Sequence, residues 1–191
     1  MRTRILAAIT RATALAAVSV LVVAAPSERI LNAAGNATSA SISPVYASSA
    51  GTRELEQEMF SMVNQDRLNP ANEAETDGRA LPLVWDARLA EAARARSEDM
   101  IARNYFSHVD PNGMTPDVYL TAAGIHWQAM AENIVIRSRV ERGEAALMDE
   151  PRFQPDHRGT ILNPQFTHIG IGIVKAPDGE LYMTQEFARL Q

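Results

Sequence analysis

The 191-residue chain contains no cysteine, which excludes a disulfide framework, thiolate metal sites and a cysteine nucleophile. Lysine is almost as scarce. Lys175 is the only one among 18 basic residues, so Schiff-base and lysine-nucleophile chemistry have a single candidate, at what reads as a strand end. Positive charge is also in deficit, with 18 basic against 23 acidic side chains, and this argues against nucleic acid as a main partner. Catalytic signatures are missing too. There is no H-E-x-x-H and no G-x-S-x-G elbow, which sets aside the helical zinc-protease arrangement and the α/β-hydrolase nucleophile. Gly170-Ile171-Gly172 lacks the third glycine and following helix of a phosphate loop. It reads instead as a glycine face that lets a helix approach a strand.

No apolar run is long enough for a comfortable bilayer span. Residues 12–25 are uncharged and mostly apolar, 14 residues where a helix needs about 20. Arg2 and Arg4 precede the run and small residues follow it, the pattern of an export signal or an N-terminal anchor over residues 1–25. Cleavage fits after Ala25, although Pro26 follows, or after Ala47. Residues 26–50, rich in Ser, Ala and Asn, carry too little apolar surface to fold and read as a tether. Residues 51–191 are the folded part. Beyond residue 47 the chain holds 14 basic and 22 acidic side chains, a net charge near −8, as expected of an acidic domain without a basic surface for nucleic acid or membrane.

Within that part Thr52 is placed to cap a helix with apolar positions Leu55, Met59, Met62 and Val63, which ends at Asn69-Pro70. Asp86 caps a second helix, residues 87 to about 103, with a slim Ala-rich face. Thr115-Pro116 opens a third that stops at Gly124, and a fourth is expected around residues 143–149. Then the period changes. Ile169, Ile171 and Ile173 alternate with two glycines, Pro177-Asp178-Gly179 makes a turn, and residues 181–188 alternate again, which predicts an antiparallel hairpin. Helices followed by a hairpin give an α+β domain.

All four histidines lie in this domain. His108 follows the second helix and precedes a Pro-Asn-Gly turn, His157 precedes Ile161-Leu162, and Glu132 is an acid among apolar residues. Two imidazoles and a carboxylate converging from separate loops could hold zinc or a similar ion, whereas unrelated histidines and an Arg-paired glutamate are the more ordinary reading of the same spacing. His126, beside Trp127, and His168, beside the Ile strand, read as structural or surface residues.

The ordered motifs resemble the CAP superfamily (cysteine-rich secretory proteins, antigen 5 and pathogenesis-related 1 proteins), in its bacterial SCP-like branch. They run Val63-Asn64-Gln65-Asp66-Arg67, Leu81-Pro82-Leu83-Val84-Trp85-Asp86, Phe106-Ser107-His108, Ala131-Glu132-Asn133-Ile134, His157-Arg158 with Ile161-Leu162-Asn163-Pro164, Phe166-Thr167-His168-Ile169-Gly170, and Thr184-Gln185-Glu186-Phe187. The resemblance implies a three-layer α-β-α sandwich with a small central antiparallel sheet. It also implies a cleft lined by two His and two acids that takes a divalent cation such as zinc, not needed for the fold. His108, Glu132 and His157 match three of those positions. Glu150 is the candidate for the fourth, with Asp149 and Asp156 as fallbacks, because residues 149–156 replace a shorter Ser-Pro-Gly linker of bacterial relatives. The expected function is an exported, non-catalytic module for a small apolar or cell-envelope ligand. Its membrane contact, if any, would come through an uncleaved N-terminus. A metal-dependent hydrolase with Glu132 or Glu150 as general base, and a partner-recognition domain with a vestigial cleft, are the alternatives.

Overall fold

The computed structural model describes residues 21–24 and 50–191. The strands are β1 (Leu21–Ala24), β2 (Val84–Trp85), β3 (Trp127–Arg137), β4 (His168–Lys175) and β5 (Leu181–Leu190). The helices are α1 (Ala50–Leu68), α2 (Ala87–Ala102), α3 (Pro116–Ala122), α4 (Val140–Met148) and α5 (His157–Leu162). The sheet order is β1-β3-β5-β4-β2, antiparallel except for the short parallel pair β2–β4. The expected α+β sandwich is present. One layer, α1, α4 and α5, packs around Met59, Val63, Ile171, Met183 and Phe187, and the other, α2 and α3, closes over Leu89, Leu120, Met130 and Ala188.

The expected cap at Asp86 forms: its side chain accepts from the backbone N–H of Arg88 at 2.8 Å and Leu89 at 3.2 Å. Thr115 behaves differently. It makes no side-chain cap, and its hydroxyl donates to the Asp117 carboxylate instead. Four residues of the apolar run read as an export segment pair along β3, from Leu21 opposite Glu132 to Ala24 opposite Ala129. The remainder of that segment and nearly all of the tether lie outside the described residues. Among the described residues no helix is long and apolar enough to cross a membrane.

Two of the elements that hydrophobic period does not reveal bear on the site. Residues 127–137 form the longest strand, yet buried residues on both its faces erase the alternation that would mark it. The second is α5, only six residues long.

The glycine face performs as its spacing suggests. A Cβ on Gly170 would lie 2.0 Å from the Ala90 nitrogen, and one on Gly172 2.1 Å from the Arg94 nitrogen. Helix α2 therefore lies directly against β4, which sets the depth at which its inward side chains enter the sheet. Buried Ser97 hydrogen-bonds the Gly172 carbonyl at 3.1 Å and the Thr184 hydroxyl at 2.9 Å. Opposite α2, Glu56 of α1 forks Arg94 of α2 with two 2.7 Å bonds and accepts the Ile173 N–H at 3.2 Å. This strap covers β4 where β2 has ended. Replacing Gly170 with Val should lower stability by about 3 kcal/mol or more, since the added atoms meet backbone rather than a yielding side chain. The shift of the urea midpoint at unchanged m-value measures it.

Candidate functional site

Arg96 lies on the buried stripe of α2, spaced with Leu89, Ala93 and Met100, and is wholly buried. Its Nε donates to Glu132 Oε2 at 2.8 Å and its Nη2 to Glu132 Oε1 at 3.2 Å. Nη2 also reaches the carbonyls of Ser107 and His108, both at 3.1 Å, and Nη1 the Tyr105 hydroxyl at 2.9 Å. Tyr105 in turn donates to Asp99 at 2.5 Å, and the Tyr119 ring stacks 4.9 Å from the guanidinium. One side chain thus gathers the strand acid and the loop after α2. Asp110 then turns that loop, accepting from Asn112 and Met114 N–H at 2.8 Å and from Arg103 and Tyr119.

The result places His108 Nδ1 at 2.7 Å from Glu132 Oε1. Burial alone would raise the Glu132 carboxyl, but the bonds from His108 and Arg96 and the Arg96 charge outweigh it and hold the group below the usual carboxylate range. An ionised carboxylate only accepts. Nδ1 therefore carries a proton, which makes Nε2 the lone-pair nitrogen of the neutral ring. That Nε2 is buried and has no hydrogen-bond partner among the described residues.

His157 repeats the arrangement with different parts. Its Nδ1 lies 2.6 Å from Glu150 Oε1, while Glu150 Oε2 accepts from the backbone N–H of His157 at 2.8 Å and of Arg158 at 3.3 Å. Its Nε2 is again buried and without a partner among the described residues. Asp156 caps α5 through the Gly159 N–H at 2.9 Å. Residues 149–156 are stapled down by Glu75, which takes Arg152 at 2.8 Å and a two-pronged Arg158 at 2.7 and 3.0 Å. Buried Arg67 holds the other end of α5 through the carbonyls of Ile161 at 2.7 Å and Asn163 at 2.9 Å. With burial unopposed, its pKa falls to about 10.

Both halves tie to neighbouring residues of β3. Glu132 holds the His108 ring, and Asn133 donates to the His157 carbonyl at 3.2 Å and to Gln185 Oε1 at 3.1 Å. Consecutive strand residues point to opposite faces, so the two histidines reach one level of β3 from the two layers that flank the sheet.

The expectation that Glu132 and Glu150 line a four-ligand metal site meets a different arrangement. Both oxygens of each carboxylate are occupied by N–H donors. Among the described residues no group of three or more His, Cys, Asp or Glu side chains is placed to hold a metal ion. Each acid holds one imidazole by its Nδ1. Asp156 is a helix cap, and Asp149 forms the C-terminal boundary of α4. His126 is exposed and His168 pairs with the Thr167 hydroxyl at 2.8 Å, neither joining the two pairs.

Sequence reasoning passed over Arg96, although an arginine on an otherwise apolar helical stripe is a signal for a buried, partnered cation. It also passed over Glu75 and Glu144, and it quoted Glu186 only as part of a motif. Glu144 of α4 is fully buried, accepts from Gln185 at 2.7 Å, and is pushed to about 8 by desolvation and then by Asp66. No period reveals it.

This combination, a three-layer sandwich with two buried His–Glu pairs hung on one strand, defines the class of domain. The model of the cysteine-rich secretory protein (CAP) family matches residues 60–187, and the chain belongs to that family. It is 32% identical over 156 residues to the uncharacterized protein YkwD of Bacillus subtilis (strain 168), covering 81% of this chain and 58% of that one. It is 34% identical over 107 residues to the uncharacterized membrane protein YlbC of the same strain, covering 56% and 29%. The chain thus spans less than two thirds of the length of these relatives. An extracellular SCP-domain protein from Bacillus anthracis superposes with a TM-score of 0.57 at 28% identity, over 72% of this chain and 41% of that one. An outer surface protein of Borrelia burgdorferi gives 0.60 at 16%, over 73% and 96%, a likeness of fold alone.

Two outcomes test this description. Arg96→Met should cost about 3–5 kcal/mol, because it strands the Glu132 charge, and Arg96→Lys should recover little, since one ammonium cannot fork a carboxylate and reach Tyr105 together. Urea unfolding measures both. For Glu144, the folded pKa lies above the ordinary 4.5, so its contribution is fully present below about 4.5 and is lost as pH rises through about 8. Glu144→Gln keeps the bond from Gln185 without the ionisation. Between pH 5 and pH 8.5 the wild-type melting temperature should fall further than that of this variant, by on the order of 5 °C.

Proposed function

We propose that this domain is an exported binding module that presents the Nε2 atoms of His108 and His157 to a divalent cation. The observation that carries the reading is the pair of buried, unpartnered Nε2 atoms, each on a ring whose Nδ1 is clamped by a glutamate. Leaving a buried polar atom unsatisfied is costly, so each Nε2 is in want of a ligand, and a cation that both rings reach would satisfy the two together. Neutral imidazole with its second nitrogen bound to a carboxylate is the donor form that zinc and similar ions take. Water or the ligand itself would complete the coordination, because among the described residues no third protein side chain is placed to do so.

An apolar component of the ligand is supported by the surroundings. Val109 beside His108, Met114 in the same loop, Val118 of α3 and Phe153 in the loop before His157 are all large apolar side chains left exposed. Phe153, 67% exposed, also holds a left-handed φ of 62°, an uncommon conformation for a bulky residue. Binding without turnover is favoured over hydrolysis because both oxygens of each glutamate are already engaged by N–H groups. Export is supported by the charged start and apolar run at residues 1–25, and by the extracellular description of the Bacillus anthracis neighbour.

Calorimetric titration of Zn2+ into the full chain, His108→Ala and His157→Ala tests the reading. Tight one-to-one binding by the wild type and a loss of at least about tenfold in each variant is expected. Equal affinity in all three proteins would refute a shared ion.

A further inference from the structure

Behind Glu132 lies a second acid that neither histidine touches. Glu186, in the middle of β5, is the cross-strand partner of Glu132 on one side and of Gly170 on the other. Both glutamates are wholly buried. The space above is closed by α2, whose backbone comes so near that Gly170 has no room for a Cβ. Among the described residues, neither oxygen of Glu186 accepts a hydrogen bond from any N–H donor. An ionised carboxylate in that position would carry a second buried negative charge beside Glu132 with no N–H to solvate it, and Arg96 is already engaged with Glu132. Burial and then the facing Glu132 charge accordingly drive the Glu186 pKa well above the carboxylate range.

A protonated acid is a donor, and directly opposed strand residues have Cβ atoms about 4.5–5.5 Å apart, within reach for two carboxyl groups. Glu132 also has an acceptor site to spare. Two carboxylate oxygens offer about four lone-pair directions. Oε1 takes His108 and Arg96 Nη2, whereas Oε2 takes Arg96 Nε.

We infer that Glu186 is a neutral carboxylic acid that donates its proton to the remaining acceptor site of Glu132, and that it is thereby the positioning residue that holds Glu132 in register to fix the tautomer and ring orientation of His108. With this bond the buried group of Arg96, Glu132 and Glu186 carries no net charge. The Glu132 carboxylate is then fixed from three directions, by the helix, the loop and the neighbouring strand. The inference deepens the reading of His108 as a ligand-presenting imidazole and rests on it for its functional meaning, but the ring state is observable with no metal present.

The test compares Glu186→Gln, whose amide still donates, with Glu186→Met, which fills the space and donates nothing. In the infrared difference spectrum of wild type minus Glu186→Gln at pH 7, the carbonyl band of a protonated carboxylic acid should appear on the wild-type side; its absence overturns the inference. In 15N-labelled protein without metal, wild type and Glu186→Gln should both show His108 as the single tautomer protonated on Nδ1. Glu186→Met should show a tautomer mixture and about tenfold weaker Zn2+ binding. If Glu186→Gln behaves like Glu186→Met, or if Glu186→Met keeps the wild-type ring signals, Glu186 has no positioning role. Should Glu186→Met fail to fold, the infrared comparison alone decides. A wild type that binds no Zn2+ yet shows the acid band and the single tautomer would sink the cation reading and leave this inference standing.

Discussion

The Arg96–Glu132 pair is the constraint on which the rest of this domain turns. Both side chains have no exposure, so the attraction between them is set against the large cost of removing two charges from water. Pairs of this kind contribute little net stability, and their value is geometric. Here the geometry is exacting because α2 cannot shift. The helix backbone lies against Gly170 and Gly172 with no room for a side chain, so the depth and rotation of Arg96 are settled by the sheet. The guanidinium then distributes its N–H groups over a strand acid, two loop carbonyls and a tyrosine. A point charge such as lysine has no equivalent fork. The loop that carries His108 is short of regular structure, and its position is inherited from a helix whose position is inherited from two glycines.

The His157 half reaches the same end through backbone chemistry. Glu150 binds two N–H groups at the start of α5, where the helix dipole favours negative charge. Arg67 binds carbonyls at the end of the same helix, where a cation is favoured. A six-residue helix has little stability of its own, and these two charges fix both of its ends. Glu75 ties the preceding loop to the turn after α1 through Arg152 and Arg158. Phe153 sits in that loop, so its unusual backbone is held by flanking ion pairs rather than by its own packing.

Much of this was readable before the fold. The alternating Ile and Gly of residues 169–173 gave away both the strand and the helix that lies on it, because a glycine face has few other uses. Asp86 marked a helix start for a local reason. His108, Glu132, His157 and Glu150 could be placed as a set only through the order of the motifs, and their pairing, His108 with Glu132 and His157 with Glu150, was not visible in any spacing. Residues 127–137 concealed their strand because Met130 and Ala131 are buried on opposite faces. Period analysis needs one wet face, and this strand has none over most of its length. Arg96 was hidden by the habit of treating arginine as a surface residue; its place on the stripe of Leu89, Ala93 and Met100 was the available clue.

The inventory of hydrogen-bond capacity narrows what such a site can do. Glu132 and Glu150 accept from six N–H groups between them, three apiece, so both oxygens of each are engaged in holding the rings and their surroundings. What each neutral ring would offer is the lone pair on Nε2. A ligand meeting these atoms must bring something that accepts electron density: a metal ion, or an N–H or O–H donor. An apolar molecule alone would leave both nitrogens unsatisfied and forfeit the free energy that makes the position attractive. The exposed Val109, Met114, Val118 and Phe153 therefore act in this reading as flanking contacts, adding area to a recognition event that the two imidazoles anchor. Affinity that depends on both parts would fall when either is removed. Coordination would be lost sharply with either histidine, whereas apolar contact would decline in steps of about 1.5–3 kcal/mol for each fully buried side chain deleted.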